Sequence, residues 1–101
     1  MIAPVIVRPE ASQDATEAAH WYEDQLAGLG KRFLDALDQT IVLIAENPRR
    51  YPVYSQLIHR IHIRHFPYAV FFAANENRVV VLAVLNLHRN PRLLRRTLKE
   101  R

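Results

Sequence analysis

Residues 60–72 read RIHIRHFPYAVFF, and the alternation in the first half of this stretch decides the fold. Ile61 and Ile63 fall on one parity, with Leu57 ahead of them, while Ile58, Arg60, His62 and Arg64 fall on the other. Successive side chains of a strand point to opposite faces, so the isoleucines are expected to pack inward and the basic set to face away. His59 interrupts the apolar parity. A corner is expected at His65-Phe66-Pro67, leading into a second, more apolar strand from Tyr68 to Ala74. Asn75-Glu76-Asn77 then reads as a hairpin turn into Arg78–Leu87. Its core, VVVLAVL, is apolar on both parities, which predicts a central strand covered on both faces.

Upstream of this sheet the periodicity changes. Val5 to Arg8 reads as a short strand stopped by Pro9, a residue that also suits the first turn of a helix. Ala11, Ala15, Ala18, Ala19, Tyr22 and Leu26 recur at helical steps. Gly28 and Gly30 are expected to break that helix. A second follows with Phe33, Leu37, Ile41 and Ile44 on one stripe, ending at Asn47-Pro48, where the pre-proline position disfavours helix. The short break makes the two an antiparallel hairpin. PRRYPVY reads as a loop in which Tyr51 and Tyr54 fix the chain on either side of Pro52. Past Pro91, LLRRTLKER reads as a short basic helix or a mobile tail. The expectation is one α+β domain over 1–101, with 92–101 as that basic tail and a helical hairpin on a mainly antiparallel, roughly four-stranded sheet.

The charge is split along the chain. Residues 1–48 carry three basic side chains against eight acidic ones, net −5, and residues 49–101 carry eleven basic against two acidic, net +9. A separation this strong within one domain predicts an anionic partner for the second half. No cysteine is present, so disulfides and cysteine-ligated zinc are excluded and a reducing cytoplasm is the expected location. The longest apolar run, Val79 to Leu85, is far shorter than the roughly 20 residues of a membrane helix, so no membrane partner is expected. MIAPVIVRPE is too short before Arg8 to read as a signal peptide.

The histidines, the two serines and the basic strand residues are the groups able to carry chemistry. His59, His62 and His65 are spaced by three, which scatters them over two faces of a strand, and no acidic ligands accompany them. No metal and no cofactor is therefore expected. Ser12 and Ser55 lack a nucleophile elbow, and there is no glycine-rich phosphate loop. What remains is acid–base chemistry such as RNA cleavage at the 2′-hydroxyl, for which Arg60, His62, His88 and Arg89 have suitable groups. Trp21 and Tyr22 are expected to seal the first helix against the sheet, with partner binding as the second reading.

The ordered elements carry a likeness. An A-x-x-WYE helix, GLGKRFLDAL, NPRRYP, HRIHIRHFPYAVFF and VVVLAVLNLHRNP, in that order, resemble the ParE/RelE superfamily of bacterial toxins, and the ParE branch most closely. The resemblance runs over about residues 3 to 96. It implies the toxin of a type II toxin–antitoxin operon, active in growth regulation and plasmid stabilisation and neutralised by a cognate antitoxin. The charge split predicts that this antitoxin lays an acidic, apolar C-terminal segment across the helical hairpin or the basic sheet, neutralising Arg60, Arg64 or Arg89. ParE-like members imply inhibition of DNA gyrase, which needs no catalytic side chain of the toxin. RelE-like members imply ribosome-dependent cleavage of mRNA, and a third possibility is an inactive toxin kept as an antitoxin-binding co-repressor. Operator DNA is expected to be reached only through the antitoxin.

By the same resemblance, Arg60 matches the arginine of the central strand and Phe66-Pro67-Tyr68 its turn. The usual ending, V-L-A-V-x-H-x-R-R-D-P-x-x-W, becomes Asn86, His88, Arg89, Asn90 and Leu94 at its histidine, two arginines, aspartate and tryptophan, and Phe72 stands where tyrosine is common. No lysine lies between Lys31 and Lys99 and no tyrosine follows Tyr68, which departs from the RelE-like nuclease set. The residues expected to touch target or antitoxin are Trp21, Tyr22, Arg60, His62, Arg64, His65, Tyr68, His88, Arg89, Arg92, Arg95 and Arg96.

Overall fold

The computed structural model describes residues 3–101. A parallel strand, β1 (Val5–Val7), leads into helices α1 (Pro9–Gln25) and α2 (Leu29–Glu46). A single 3-10 turn at Pro48–Arg50 precedes strands β2 (Val53–Ser55), β3 (Ile58–His62), β4 (Tyr68–Ala74) and β5 (Val79–Asn86), and helix α3 (Pro91–Glu100) closes the chain. The sheet order is β1-β5-β4-β3-β2, with only the β1–β5 pair parallel. The sheet thus has one strand more than expected, because Val53–Ser55 of the presumed loop pairs with β3.

The parity read from the sequence sorts the two faces. Ile61, Ile63, Val70 and Phe72 face α1 and α2 in the main core, with Phe33, Leu37 and Ile44. Ile58, Ala69 and Phe71 lie on the other face, beneath Leu94 and Leu98 of α3. Leu57 departs from the pattern and is 82% exposed, since Gln56 at φ 49° turns the chain just before it. His59 takes an inward place by stacking on Phe72, ring centres 5.2 Å apart, and its Nδ1–H donates to the Tyr51 carbonyl at 2.8 Å. A ring with one satisfied nitrogen fits a position meant for an apolar side chain. Tyr51 and Tyr54 pack on opposite faces, against Phe72 and Phe71 respectively.

β5 is apolar on both parities because both its faces are covered, and a bulge within it shifts the phase. Phe71 pairs with Ala83 and Phe72 with Val81, leaving Leu82 as the extra residue. Val79, Val81 and Val84 consequently face the helical hairpin, whereas Ala83 and Leu85 face α3. β4, rather than β5, is the middle strand. β1 covers β5 only as far as Val81, so the second half of β5 is a sheet edge. Asp14 and Arg101 close that edge. Asp14 Oδ2 accepts from Val84 N at 3.1 Å, and Arg101 Nη1 donates to the Leu82 carbonyl at 3.0 Å. The two side chains are joined by bonds of 2.7 and 3.1 Å and stand where another strand would hydrogen-bond.

The helical hairpin turns at Gly28, whose φ of 90° favours glycine. Glu23 then caps α2 by accepting from Gly28 N at 2.9 Å and Gly30 N at 3.0 Å. Gly30 does not break the helix as expected but lies in the first turn of α2, pressed against α1. A Cβ there would stand 2.6 Å from the Ala19 carbonyl oxygen.

Candidate functional site: the basic end of the sheet

Antiparallel pairing brings the end of β3, the start of β4 and the end of β5 to the same end of the sheet. His62 pairs with Ala69, and Tyr68 with Asn86. Ile63 N donates to Tyr68 O at 2.9 Å to close the β3–β4 corner, and Leu87 N donates to Pro67 O at 2.8 Å to tie that corner to the turn after β5. Arg64, His65, His88 and Arg89 are carried on these loops and are exposed, as is His62 at the end of β3. Asn86 Oδ1 accepts from His88 N at 2.8 Å, and Asn90 Oδ1 caps α3 through Arg92 N at 2.8 Å. Asparagine and aspartate cap equally well, so Asn90 keeps the structural part of the usual residue's work.

Beneath the loops is an aromatic cluster. Tyr22 lies 5.4 Å from Phe33, 4.9 Å from Phe66 and 6.0 Å from Tyr68, centre to centre. The first contact is stacked and the other two are edge-to-face, and such contacts add to the burial of the rings and anchor the corner on the hairpin. Burial pushes the Tyr22 phenol up from its ordinary value, and the neighbouring Tyr68 adds to the shift. His65 sits at φ 73° in the corner, a conformation that costs a non-glycine residue energy and needs its surroundings to hold it.

Two clefts flank this end. One, of about 520 Å³, lies between α2 and the corner and combines Arg32, Arg64 and His65 with Leu29, Phe66 and Pro67, and with Asp35 as its one acid. The other, about 230 Å³, lies along the free part of β5 and is lined by Trp21, Tyr68, Asn86 and Arg89 together with Asp14 and Glu17. The expectation for the Trp21-Tyr22 pair divides here. Tyr22 seals the hairpin, but Trp21 is 57% exposed, since a neighbouring helical position points about 100° away.

The acid–base candidates face different ways. Arg60 and His62 are on the α3 face, and the Arg60 guanidinium lies 4.9 Å from the centre of the Tyr54 ring. Arg89 instead lines the cleft on the α1 side, and His88 is exposed in the turn after β5. Arg92, Arg95 and Arg96 are exposed on α3. Among the described residues no three histidine, cysteine or carboxylate side chains are grouped to hold a metal ion. Sequence reasoning passed over Arg32, which only the packing of α2 beside the corner brings to the first cleft. Neither Asp14 nor Arg101 is singled out for a site by the sequence alone. No local pattern signals a pair so far apart along the chain.

A helical hairpin and a C-terminal helix enclosing a mixed five-stranded sheet define a known class of small α+β domain. The fold is shared with a chain of the structure described as "Chromosomal ParDE TA system from P. aeruginosa", with a TM-score of 0.65 and 10% identity, covering 85% of this chain and 97% of that one. The family model described as "ParE toxin of type II toxin-antitoxin system, parDE" matches residues 5–95, and the chain belongs to this family. The sequence matches no curated protein.

Proposed function

We propose that this ParE-family toxin inhibits DNA gyrase and is held inactive by a cognate antitoxin that lays an acidic, partly apolar segment against its basic end. The carrying observation is the cleft of Arg32, Arg64 and His65 around Phe66 and Pro67. A segment with carboxylates beside aliphatic side chains neutralises the cations and covers the apolar floor together. Trp21 and Arg89 extend the same reading to the neighbouring cleft. Operator DNA is reached through the antitoxin in this account, and the cytoplasm is where it operates.

For the target, the divergence of the candidate acid–base groups supports action by contact. RNA cleavage requires a base, a proton donor and cations around one phosphate. Arg60 and His62 are on one face while Arg89 lines a cleft on the other side. The shared face of Arg60 and His62 favours a second reading, ribosome-dependent cleavage of mRNA. Expression of the chain with and without the neighbouring open reading frame tests both. Growth arrest by the chain alone, rescue by its neighbour, cleaved DNA trapped on gyrase and intact mRNA is the expected pattern. Cleaved mRNA that becomes intact in His62→Ala would favour the second reading, and normal growth with tight antitoxin binding would leave an inactive co-repressor.

A further inference from the structure

Helix α3 buries Leu94 and Leu98 against the sheet, and Arg101, just past its end, bonds to Asp14. Arg92, Arg95, Arg96 and Lys99 occupy positions i, i+3, i+4 and i+7, so they form one stripe on its outward side. All four are exposed, and none pairs with a carboxylate among the described residues. Glu100 is the only acid in the helix. The stripe continues onto the sheet, where Arg95 and Lys99 line a cleft of about 460 Å³ with Tyr54, the ring under Arg60.

We infer that the outward face of α3 contacts the phosphate backbone of duplex DNA without reading its sequence. The stripe runs about 10 Å along the helix axis, and duplex DNA carries one charge per about 1.7 Å of its own axis. Three of the four cations are arginine, whose planar fork suits phosphate oxygens. The alternatives fit less well. An anionic membrane would need an apolar stripe on the outward face, but Leu94 and Leu98 are used against the sheet and α3 leaves only Leu93 exposed. A single strand would need exposed rings for stacking, and Tyr54 is half-buried under Arg60. An acidic, apolar peptide finds its mixed surface at the α2 cleft instead. Direct contact by this chain would be separate from operator binding through an antitoxin, and it stands whether or not gyrase is the target.

The test is fluorescence anisotropy of the full chain with a labelled 20-base-pair duplex across a salt series. Four phosphate contacts give a log–log slope of about −3.6, hence roughly a 150-fold weakening between 50 and 200 mM salt. The double variant Arg95→Gln/Arg96→Gln should halve the slope and reduce that weakening to about tenfold. Glutamine has nearly the helix propensity of arginine, so the fold should persist, and an unchanged thermal transition by circular dichroism checks this. Absence of salt-dependent binding, or an unchanged slope in the folded double variant, would overturn the proposal. So would tighter binding to a single strand of equal length, to phosphatidylglycerol vesicles, or to poly-glutamate at equal charge.

Discussion

Asp14 and Arg101 show how two side chains can replace a missing strand. Their side chains are 14% and 16% exposed, and each also bonds to the backbone at the β5 bulge. Removing one member leaves the other charge poorly solvated beside an open edge. Arg101→Ala should therefore lower stability by about 2–3 kcal/mol in urea denaturation, somewhat below the values for fully buried pairs because some water reaches this one. A loss below about 0.5 kcal/mol would reduce the contact to an ordinary surface pair. Tyr22 gives a pH signature. Its phenol is raised above 10.0 in the folded protein, so the unfolded chain ionises first as pH rises. The Tyr22 contribution is complete below about pH 10 and is lost as pH climbs through the folded value. Alkaline denaturation midpoints should move up in Tyr22→Phe. An identical alkaline limb in both proteins would show that the phenol is not coupled to folding.

The helical hairpin depends on a close approach at its second glycine. Gly30→Ala gains nearly 1 kcal/mol of helix propensity, but its Cβ meets a backbone carbonyl that cannot rotate away. The clash should win, with a net loss of about 1–2 kcal/mol by thermal or chemical denaturation. A more stable Gly30→Ala protein would mean that α1 and α2 can move apart freely. The other elements show what a sequence can reveal. The two helices, the Phe66-Pro67 corner and the Tyr68–Ala74 strand were legible because their apolar periods are long and broken by proline or glycine. Val53–Ser55 was not, because three residues are too few to show alternation. The bulge at Leu82 was hidden too, since a run apolar on both parities carries no phase to shift. Of the candidate site, the cations were legible by type and clustering. Their division between the α3 side and the α1 side was not, because it follows from the path of the turn after β5.

Across the whole molecule, residues of the −5 and +9 halves share one hydrophobic core. α1 and α2 carry most of the acids, yet Arg32 joins Arg64 and His65 at the α2 cleft. Charge reversal at Arg64, which is exposed and outside the core, should spare folding while weakening antitoxin binding at least tenfold through slower association. Calorimetry and stopped-flow mixing would measure both terms, and unchanged association would remove this cleft from the interface. The most direct test of the account is a DNA supercoiling assay with purified gyrase and this chain. Loss of supercoiling with accumulation of cleaved DNA, reversed by adding the cognate antitoxin, is the predicted result. Undiminished supercoiling at a large excess of properly folded chain would contradict it.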